Sequence, residues 1–484
     1  MTELKSLVEQ TLRSIDGARE KFQPNLCPRE VGKIISVSPG VVRATGLPQV
    51  GLSEMVELRE NLFGMIFNID EGEVGIIPLG DSSLLQAGKL IRRTGRVMDV
   101  PVGFGLLGRV IDPLGQPLDN RGPVLYTSRL PVERPARSIV ERASVDTQLS
   151  TGVKVVDAMV PIGRGQRELI LGDRKTGKTA LAIDAILNQH DQNVICVYCA
   201  ICQRSSSVAT SINTLKERGA LDYTVVVVTE GNDPAGLNFI APYAATSIAE
   251  YFMEEGRDVL IVYDDLVNHA RKYRELSLLL RRPPGRSAFP GDIFYIHSRL
   301  LERSTRLRSG GSLTALPIVE TQGQNMTSYI ATNLISITDG QICLSPNLFG
   351  LGILPAVDVT KSVSRVGGKA QPPAFRDVVG SLKLTYAQFE ELEEFSKYGA
   401  KMDERSESII QRGRRLRACL QQPDLHPVPY TQQLVLFTAL SEGLFDSIPV
   451  EKMEQVERAI ALKNIPIESR EQILEGVREV LRTV

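Results

Sequence analysis

The sequence predicts a multidomain chain with an N-terminal β-barrel, a central α/β domain and a C-terminal α-helical domain. Short β-rich runs separated by turns come first, near-continuous apolar runs alternating with helical stretches follow, and charged, helix-forming segments come last. The expected boundaries are 1–22 for an N-terminal helix, 23–87 for the barrel, 88–371 for the central domain and 372–484 for the helical domain.

The composition is that of an ordinary soluble globular protein of two to four domains, since 42% of the 484 residues are hydrophobic and 23% are charged. Lys+Arg number 56 and Asp+Glu 57, so no overall basic field favours nucleic acid or a membrane surface. No apolar run approaches the roughly 20 residues that span a bilayer. The first residues, MTELKSLVEQTLRSID, resemble neither a secretory signal nor a transit peptide. We therefore expect a cytoplasm-like compartment.

The N-terminal 22 residues place Leu4, Val8, Leu12 and Ile15 on one helical face. This amphipathic helix docks either on a partner or on its own domain. The runs VGKIISV, GVVRATGL, EMVELR, GMIFNI and GEVGIIPL then predict a small β-barrel or sandwich. With few aromatic rings and mixed charge, this barrel lacks the stacking surface of an oligonucleotide-binding fold, and we expect no nucleic-acid partner.

The octapeptide GDRKTGKT at 172–179 matches GxxxxGK[ST], the loop that wraps nucleotide phosphates. The apolar run ELIL precedes it and the helix-like ALAIDAIL follows, so a strand feeds a glycine-rich turn that opens a helix. Backbone N–H groups, Lys178 and the helix N-terminus suit phosphates, and the Thr179 hydroxyl suits Mg²⁺. A chance match is the weaker alternative. We predict that ATP or ADP with Mg²⁺ binds to Gly172, Asp173, Arg174, Lys175, Thr176, Gly177, Lys178 and Thr179.

The strand DVLIVYDD ends in two aspartates, Asp264 and Asp265. A carboxylate at the end of a parallel strand is where a P-loop protein holds the second Mg²⁺-organising group, and Asp264 is the predicted one, acting directly or through water. The alternative is that the two aspartates cap the following helix.

A cluster of cysteines and a cluster of arginines also stand out in the sequence, and each has a simpler explanation than a binding site. Cys196, Cys199 and Cys202 have the C-x₂-C-x₂-C spacing of an iron–sulfur run, but they lie in NVICVYCAICQ, which reads as a buried strand with Cys196 and Cys199 on opposite faces. We interpret them as core residues. The arginines near the C-terminus are interpreted as a solvated helix face, and they are Arg412, Arg414, Arg415 and Arg417.

Four segments together resemble the α subunits of F-type ATP synthases: PIGRGQRELILGDRKTGKTALAIDAI at 161–186, the run from YRELS to LLER at 273–303, ISITDGQI at 335–342 and SVSRVGG at 362–368. The similarity covers essentially the whole chain. It implies a β-barrel crown, a RecA-like P-loop domain and a helical domain. It also implies three α and three β subunits alternating around a central γ shaft, with the shaft facing the turn PPGR at 283–286.

The resemblance further implies a peripheral stalk bound through the N-terminal helix, and a membrane rotor whose H⁺ or Na⁺ flow drives ATP formation on the β subunits. The expected location is the cytoplasmic side of a bacterial inner membrane, as a peripheral protein.

The resemblance implies that this P-loop does not hydrolyse its nucleotide. Related catalytic subunits hold the attacking water with a glutamate, whereas the corresponding strand here ends in Gln203. An amide orients water but accepts a proton poorly, although glutamine positions water in some GTPases. The simpler alternative is that Gln203 only ends a strand.

Arg365 in SVSRVG resembles the arginine finger that crosses to the γ-phosphate on the β subunit, a contribution of roughly 10³–10⁵ in rate. Ser336 and Asp339 resemble interface residues near that catalytic site. A structural ion pair is the simpler alternative for Arg365.

Several positions depart from the family pattern near the expected nucleotide. Lys175 stands for a glutamine, Cys202 for a glycine and Leu354 for an arginine. Two glutamines are usual where Gln422 and Asp424 stand, and both positions are expected to contact the nucleotide. These differences fit an additional bacterial form of the enzyme, the Na⁺-translocating type included.

Two other functions are weighed against this one. A self-sufficient hexameric P-loop ATPase of the protein-export type needs a glutamate near position 203. A hexameric RNA translocase needs an RNA-binding barrel and basic central loops. The export-type ATPase is the alternative that we retain.

Overall fold

The computed structural model describes residues 30–396, 403–463, 465–467 and 469–482. The expected helix at 1–22 lies outside these residues. The described chain forms a β-barrel, an α/β domain and a set of C-terminal helices, in the predicted order. Among its helices, none is both long and apolar enough to cross a bilayer.

Six antiparallel strands close into the N-terminal barrel in the order β1-β2-β5-β4-β3-β6. Ile34, Val42, Ile76 and Ile91 fill its interior. The sixth strand lies beyond residue 87, so the barrel is longer than the sequence predicts, because this strand buries only Ile91 and otherwise reads as a charged segment. The strands are β1 Val31–Ser38, β2 Val41–Thr45, β3 Glu54–Arg59, β4 Leu62–Asp70, β5 Glu73–Pro78 and β6 Leu90–Val97.

The central domain contains an eight-stranded sheet in the order β18-β17-β12-β16-β15-β13-β14-β8, parallel except for the edge pair β17–β18. The strands from this domain are β7 Asp99–Val102, β8 Val110–Ile111, β9 Ser128–Pro131, β10 Gln148–Leu149, β11 Ile162–Gly163, β12 Glu168–Asp173, β13 Val194–Gln203, β14 Thr224–Glu230, β15 Asp258–Asp264, β16 Ser312–Thr321, β17 Gly340–Leu344 and β18 Val357–Ser364.

Helices cover both faces of this sheet, which explains the near-continuous apolar sequence of its inner strands. On β13, Cys196 packs into the core on one face and Cys199 into the core on the other, which confirms their interpretation as core residues. The helices are Lys154–Met159, Lys178–Leu187, Ser205–Glu217, Ala235–Glu254, Leu266–Leu279, Ile293–Leu301, Tyr329–Ile337, Pro346–Gly350 and Gly367–Ala370.

The C-terminal region is helical and packs on the nucleotide side of the central domain through a shared core. Its helices are Pro373–Ser396, Glu404–Leu420, Tyr430–Ser441, Met453–Leu462 and Arg470–Leu481. Only Arg414 of the basic cluster is exposed. The interpretation as a solvated face is wrong for the other three. Arg417 pairs with Glu393 at 2.6 Å, and Arg412 and Arg415 donate to the main-chain carbonyls of Ser441 and Ile448.

Candidate nucleotide-binding site

The P-loop, residues 172–179, connects strand β12 to the helix Lys178–Leu187, as the sequence predicts. Gly177 takes a left-handed φ of 93° directly before that helix, a conformation that glycine adopts without strain. A Cβ atom on Gly172 would lie 2.7 Å from the Thr176 hydroxyl oxygen, so only glycine lets the loop close this tightly. The loop therefore presents backbone amides at a helix N-terminus, the arrangement that suits phosphate.

Lys178 stands among carboxylates at the mouth of the P-loop. Its Nζ donates to the main-chain oxygen of Asp173 at 2.5 Å. Burial lowers its pKa, while the charges of Glu320, Asp265 and Asp264 oppose that shift. The Asp173 carboxylate is hydrogen-bonded to a different group: it accepts from the main-chain amide of Gln324 at 3.0 Å, and this bond shapes the loop. Lys178 is thus one of the cations that can meet an anion here, together with Arg174, Lys175 and Arg271 of the same cavity.

Thr179 and Asp264 meet, as predicted for a Mg²⁺ site. The Thr179 hydroxyl donates to Asp264 Oδ2 at 2.9 Å, Tyr198 donates to the same oxygen at 2.9 Å, and the Gln203 amide donates to Oδ1 at 3.0 Å. Burial raises the pKa of Asp264, and the hydrogen bonds from Thr179 and Tyr198 oppose that effect.

This donor set fits Mg²⁺, which commonly takes one or two protein oxygens together with phosphate oxygens and water. Within the described segments, no group of three or more His, Cys, Asp or Glu side chains is placed to hold a metal on its own. Thr179 and Asp264 would therefore share the ion with a nucleotide.

Asp265 performs the alternative role considered for the two aspartates. Its carboxylate accepts from the Val267 amide at 2.6 Å and caps the helix Leu266–Leu279. Burial raises the pKa of Asp265 to about 7. The two neighbouring carboxylates therefore divide the two roles, one facing the P-loop and one capping a helix.

Gln203 ends strand β13 and turns its amide toward Asp264. The preceding Cys202 has a left-handed φ of 54°, which accounts physically for a preference for glycine there. Sequence reasoning missed Glu320, a half-buried carboxylate that also lines the cavity beside Lys178. The available signal was its place near the end of β16, the strand that pairs Glu320 with Gly172 of the P-loop.

A cavity of about 780 Å³ opens over the P-loop, a volume suited to a nucleotide. Gln203, Asp264 and Arg271 line one part of it, and Phe349 and Asp424 contribute to its wall. A small adjoining recess is lined by Gly177, Asp184, Phe349, Leu354 and Asp424. Of the predicted nucleotide contacts, the structure thus brings Arg174, Lys175, Gly177, Lys178, Thr179, Gln203 and Asp424 to one cavity.

Gln422 is not among the residues that line this cavity. Its buried amide donates to the main-chain oxygens of Gly152 at 2.9 Å and His426 at 2.7 Å, and its oxygen accepts from the Lys154 amide at 3.0 Å. These bonds occupy the side chain in fastening the C-terminal region to the start of the central domain. The structure therefore gives Gln422 a structural role, and the nucleotide contact expected from the sequence stays a prediction.

Arg365 and Asp339 lie at the opposite end of the sheet from the P-loop. Ser364 pairs with Gly340, and Gly340 pairs with Glu168 at the beginning of β12. The P-loop starts four residues farther along that strand, about 13 Å away at 3.3 Å per residue. The Arg365 side chain is exposed. It therefore points to no phosphate bound by its own P-loop.

Asp339 holds the backbone at this end of the sheet. Its carboxylate accepts from Arg167 Nε at 3.0 Å and from its terminal nitrogen at 2.9 Å, and its main-chain oxygen accepts from the Arg365 amide at 3.0 Å. Ser336 is exposed nearby in sequence, at the end of the helix Tyr329–Ile337, and donates to the Asn333 carbonyl at 2.7 Å.

Three sequence models of one family match consecutive parts of the chain. The β-barrel domain of the ATP synthase alpha/beta family matches residues 29–95, its nucleotide-binding domain 152–364, and the C terminal domain of the ATP synthase alpha/beta chain 371–479. These matches follow the order of the barrel, the sheet with its P-loop and the C-terminal helices. They do not favour the export-type alternative.

Full-length relatives agree. The chain is 63% identical to ATP synthase subunit alpha 2 of Albidiferax ferrireducens, over 97% of this chain and 89% of the relative. It is 62% identical to subunit alpha 1 of Psychromonas ingrahamii, over 96% and 90% of the two chains. It is 58% identical to subunit alpha 1 of Shewanella frigidimarina, over 99% and 96%. The chain therefore belongs to the ATP synthase alpha/beta family, as one of its alpha subunits.

Proposed function

We propose that this alpha subunit binds a Mg²⁺-nucleotide, ATP or ADP, at a site that does not hydrolyse it, and supplies Arg365 to the phosphates bound by a neighbouring β subunit. The observation that carries the proposal is the position of Arg365, exposed and at the far end of the sheet from its own P-loop. A guanidinium in that place serves a phosphate only across an interface. There it stabilises the charge that develops on transferring phosphoryl oxygens.

The noncatalytic assignment rests on Gln203. Its amide donates to the Asp264 carboxylate and so gives the cavity no proton acceptor at the position where catalytic relatives carry a glutamate. Glu320 is a carboxylate in the same cavity, but its charge acts on Lys178. In this proposal the bound nucleotide stabilises the subunit and its interfaces.

The assembly we propose is a ring of three α and three β subunits around a γ shaft, with a peripheral stalk at the N-terminal region and a membrane rotor driven by H⁺ or Na⁺. The turn at 283–286 is exposed and available to a shaft. Arg282 beside it donates to the Phe67 carbonyl of the barrel at 2.8 Å, which ties the turn to the crown. The corresponding location is the cytoplasmic side of a bacterial inner membrane.

Reconstitution with a cognate β subunit tests the proposal by comparing wild type with Arg365→Ala and Arg365→Lys. We expect near-zero ATP turnover from the isolated chain, and a loss of about 10³-fold or more in the complex for Arg365→Ala with assembly intact. Lysine should rescue little, since it lacks the planar fork.

Three variants of the isolated chain separate this proposal from the export-type alternative. Gln203→Glu tests whether a proton acceptor is what the site lacks, and Glu320→Gln tests whether the other carboxylate supports any turnover. Robust hydrolysis by the wild-type chain alone, abolished by Lys178→Ala, would overturn the noncatalytic assignment. Full turnover of an assembled Arg365→Ala complex would overturn the arginine-finger assignment.

A further inference from the structure

Glu168 is a fully buried carboxyl whose presence the P-loop site does not explain. It begins β12, at the end of the sheet where Arg365 lies, and it is 0% exposed. Its Oε2 accepts a hydrogen bond from the Gln166 side chain at 2.7 Å, whereas its Oε1 has no partner within the described residues. Burial and then the charge of Asp339 raise the pKa of Glu168 well above its usual range, while the Gln166 hydrogen bond and the charge of Arg365 oppose that shift. The carboxyl of Glu168 and the guanidinium of Arg365 therefore act on each other electrostatically.

The Gln166 side chain joins this carboxyl to the residue before Arg365. Its amide nitrogen donates to Glu168 Oε2 at 2.7 Å and also to Ser364 Oγ at 3.0 Å. Its amide oxygen accepts from the main-chain amide of Gly163 at 2.8 Å, which fixes the end of the side chain that donates. Both hydrogens of the amide nitrogen are therefore used. A continuous chain of hydrogen bonds thus runs from Glu168 to Ser364, the residue that carries Arg365 on its carbonyl side.

Stability alone does not account for Glu168. Burying a carboxyl with one oxygen unpartnered is unfavourable, and an apolar side chain of similar size avoids that cost. Another position is committed to the same carboxyl, because a Cβ atom on Gly340 would lie 2.5 Å from its Oε2 and 2.7 Å from its Oε1. The end of β18 is in addition already fastened by the main-chain hydrogen bond from Arg365 to Asp339. A group that is costly to bury, and that strand pairing does not need, is expected where function requires it.

We propose that Glu168 is a positioning residue for Arg365. Through Gln166 and Ser364 it holds the end of β18 in the place from which the guanidinium reaches the phosphates of the neighbouring subunit. Since Glu168 is fully buried, it touches no phosphate itself and acts through the arginine. The role requires a hydrogen-bond acceptor at position 168, which glutamine also supplies and leucine does not. This inference rests on the proposed function, because it takes Arg365 as the group that stabilises the transferring phosphoryl oxygens.

ATP turnover by the complex reconstituted with a cognate β subunit tests the proposal, with assembly measured alongside by size-exclusion chromatography. We expect Glu168→Leu to lower kcat about tenfold and to change KM by less than about twofold, because Arg365 acts in the transition state and small displacements of such a group are costly. Glu168→Gln keeps an acceptor for Gln166 and should retain at least about half of the wild-type kcat. Asp191→Asn should leave turnover unchanged, since that carboxylate is 90% exposed.

The lysine background shows whether Glu168 acts through the guanidinium. Glu168→Leu is introduced into a complex that already carries Arg365→Lys, and labelled ATP is followed under single-turnover conditions. In this background leucine should cost less than about twofold, because the two residues belong to one unit and their effects are not additive. A merely structural role for Glu168 would give the same loss with arginine and with lysine at position 365.

The outcomes separate this inference from the proposed function. If an assembled Arg365→Ala complex turns over at the wild-type rate, the proposed function fails. If Arg365→Ala is inactive but Glu168→Leu keeps full turnover, or loses equally in both backgrounds, the positioning role is overturned. Should the leucine variant not assemble, Ser364→Ala removes the hydroxyl that Gln166 binds, at the other end of the same chain. It is expected to give the same loss of kcat, and full turnover in that variant would overturn the proposal equally.

Discussion

The main-chain oxygen of Asp339 accepts a 3.0 Å hydrogen bond from the main-chain amide of Arg365, while the Asp339 carboxylate holds the Arg167 guanidinium through two nitrogens. One residue thus joins the start of β12 to the end of β18. The start of β12 and the end of β18 both lie at the end of the sheet that is farther from the P-loop. The position of Arg365 therefore depends on Asp339.

We predict that Asp339→Asn lowers ATP turnover of the reconstituted complex by about tenfold without removing Arg365. The amide keeps the size of the side chain but loses the charge that fixes Arg167, so the backbone before Arg365 is held less firmly, and small displacements of a catalytic group are costly. Steady-state turnover and complex assembly are measured together, with Asp191→Asn as the control. Unchanged turnover in an assembled complex would contradict the prediction.

Arg303 is 1% exposed and binds the Glu250 carboxylate through two nitrogens, each at 2.8 Å. Arg303→Met should lower the free energy of unfolding by about 3–5 kcal/mol, because it leaves Glu250 buried with only Arg134 as a charged partner. Urea unfolding followed by circular dichroism measures this. Arg458→Ala removes a pair whose side chains are both 75% exposed, and it should cost less than about 0.5 kcal/mol. Equal losses of unfolding free energy in the two variants would refute the prediction that the buried ion pair matters more than the exposed one.

Cys202 adopts a φ of 54° in the strand end that carries Gln203. Cys202→Gly should raise the free energy of unfolding by about 0.5–1 kcal/mol. Glycine relieves the left-handed strain of roughly 1–2 kcal/mol, and the greater conformational entropy that it loses on folding costs less than that. Thermal unfolding should show the melting temperature rising by about 0.5–1 °C. Cys202→Ala keeps a Cβ atom and should give no rise. A melting temperature that falls in the glycine variant would argue against strain at this position.

Gln422→Ala should lower the free energy of unfolding by about 2 kcal/mol, because it leaves the buried Lys154 amide and the Gly152 carbonyl without this partner. Nucleotide affinity should change by less than about twofold, since the side chain does not line the cavity. Unfolding and nucleotide titration are measured on the same preparation, with the exposed Gln421→Ala as the control. A tenfold loss of affinity at unchanged stability would instead support the nucleotide contact expected from the sequence.

Asp184 predicts a pH dependence of stability. Its pKa is about 7 in the folded chain against an ordinary 3.8, so the folded chain holds this proton more tightly than the unfolded chain. The stabilisation is therefore complete below about pH 4 and is lost as the pH rises through 7. Asp184→Asn should gain stability relative to wild type between pH 5 and pH 8, as measured by thermal unfolding in the absence of nucleotide. Parallel curves for the two proteins would show that Asp184 does not titrate in this range.

Local patterns predicted those features that depend on neighbours in sequence. The P-loop was predictable because strand, glycine turn and helix are consecutive, and Asp264 because a strand end places its carboxylate at a known edge of a parallel sheet. The barrel's sixth strand was missed because only Ile91 is buried in it. The arginines of the C-terminal region were misjudged because their partners are distant in sequence: Glu393 and Ser441 lie on other helices, and Ile448 lies in the connection after the helix Tyr430–Ser441.

The sequence by itself determined the three-part architecture, the phosphate loop and the glutamine at position 203, because hydrophobic period and backbone requirements are local properties. Only the tertiary structure decided which distant residues share the cavity. The strand order β18-β17-β12-β16 places Glu320 beside the P-loop and Arg365 at the other end of the sheet. Packing of the C-terminal helices turns Gln422 inward and leaves Asp424 facing the cavity. Such neighbours are set by long-range burial and strand pairing, which no local pattern encodes.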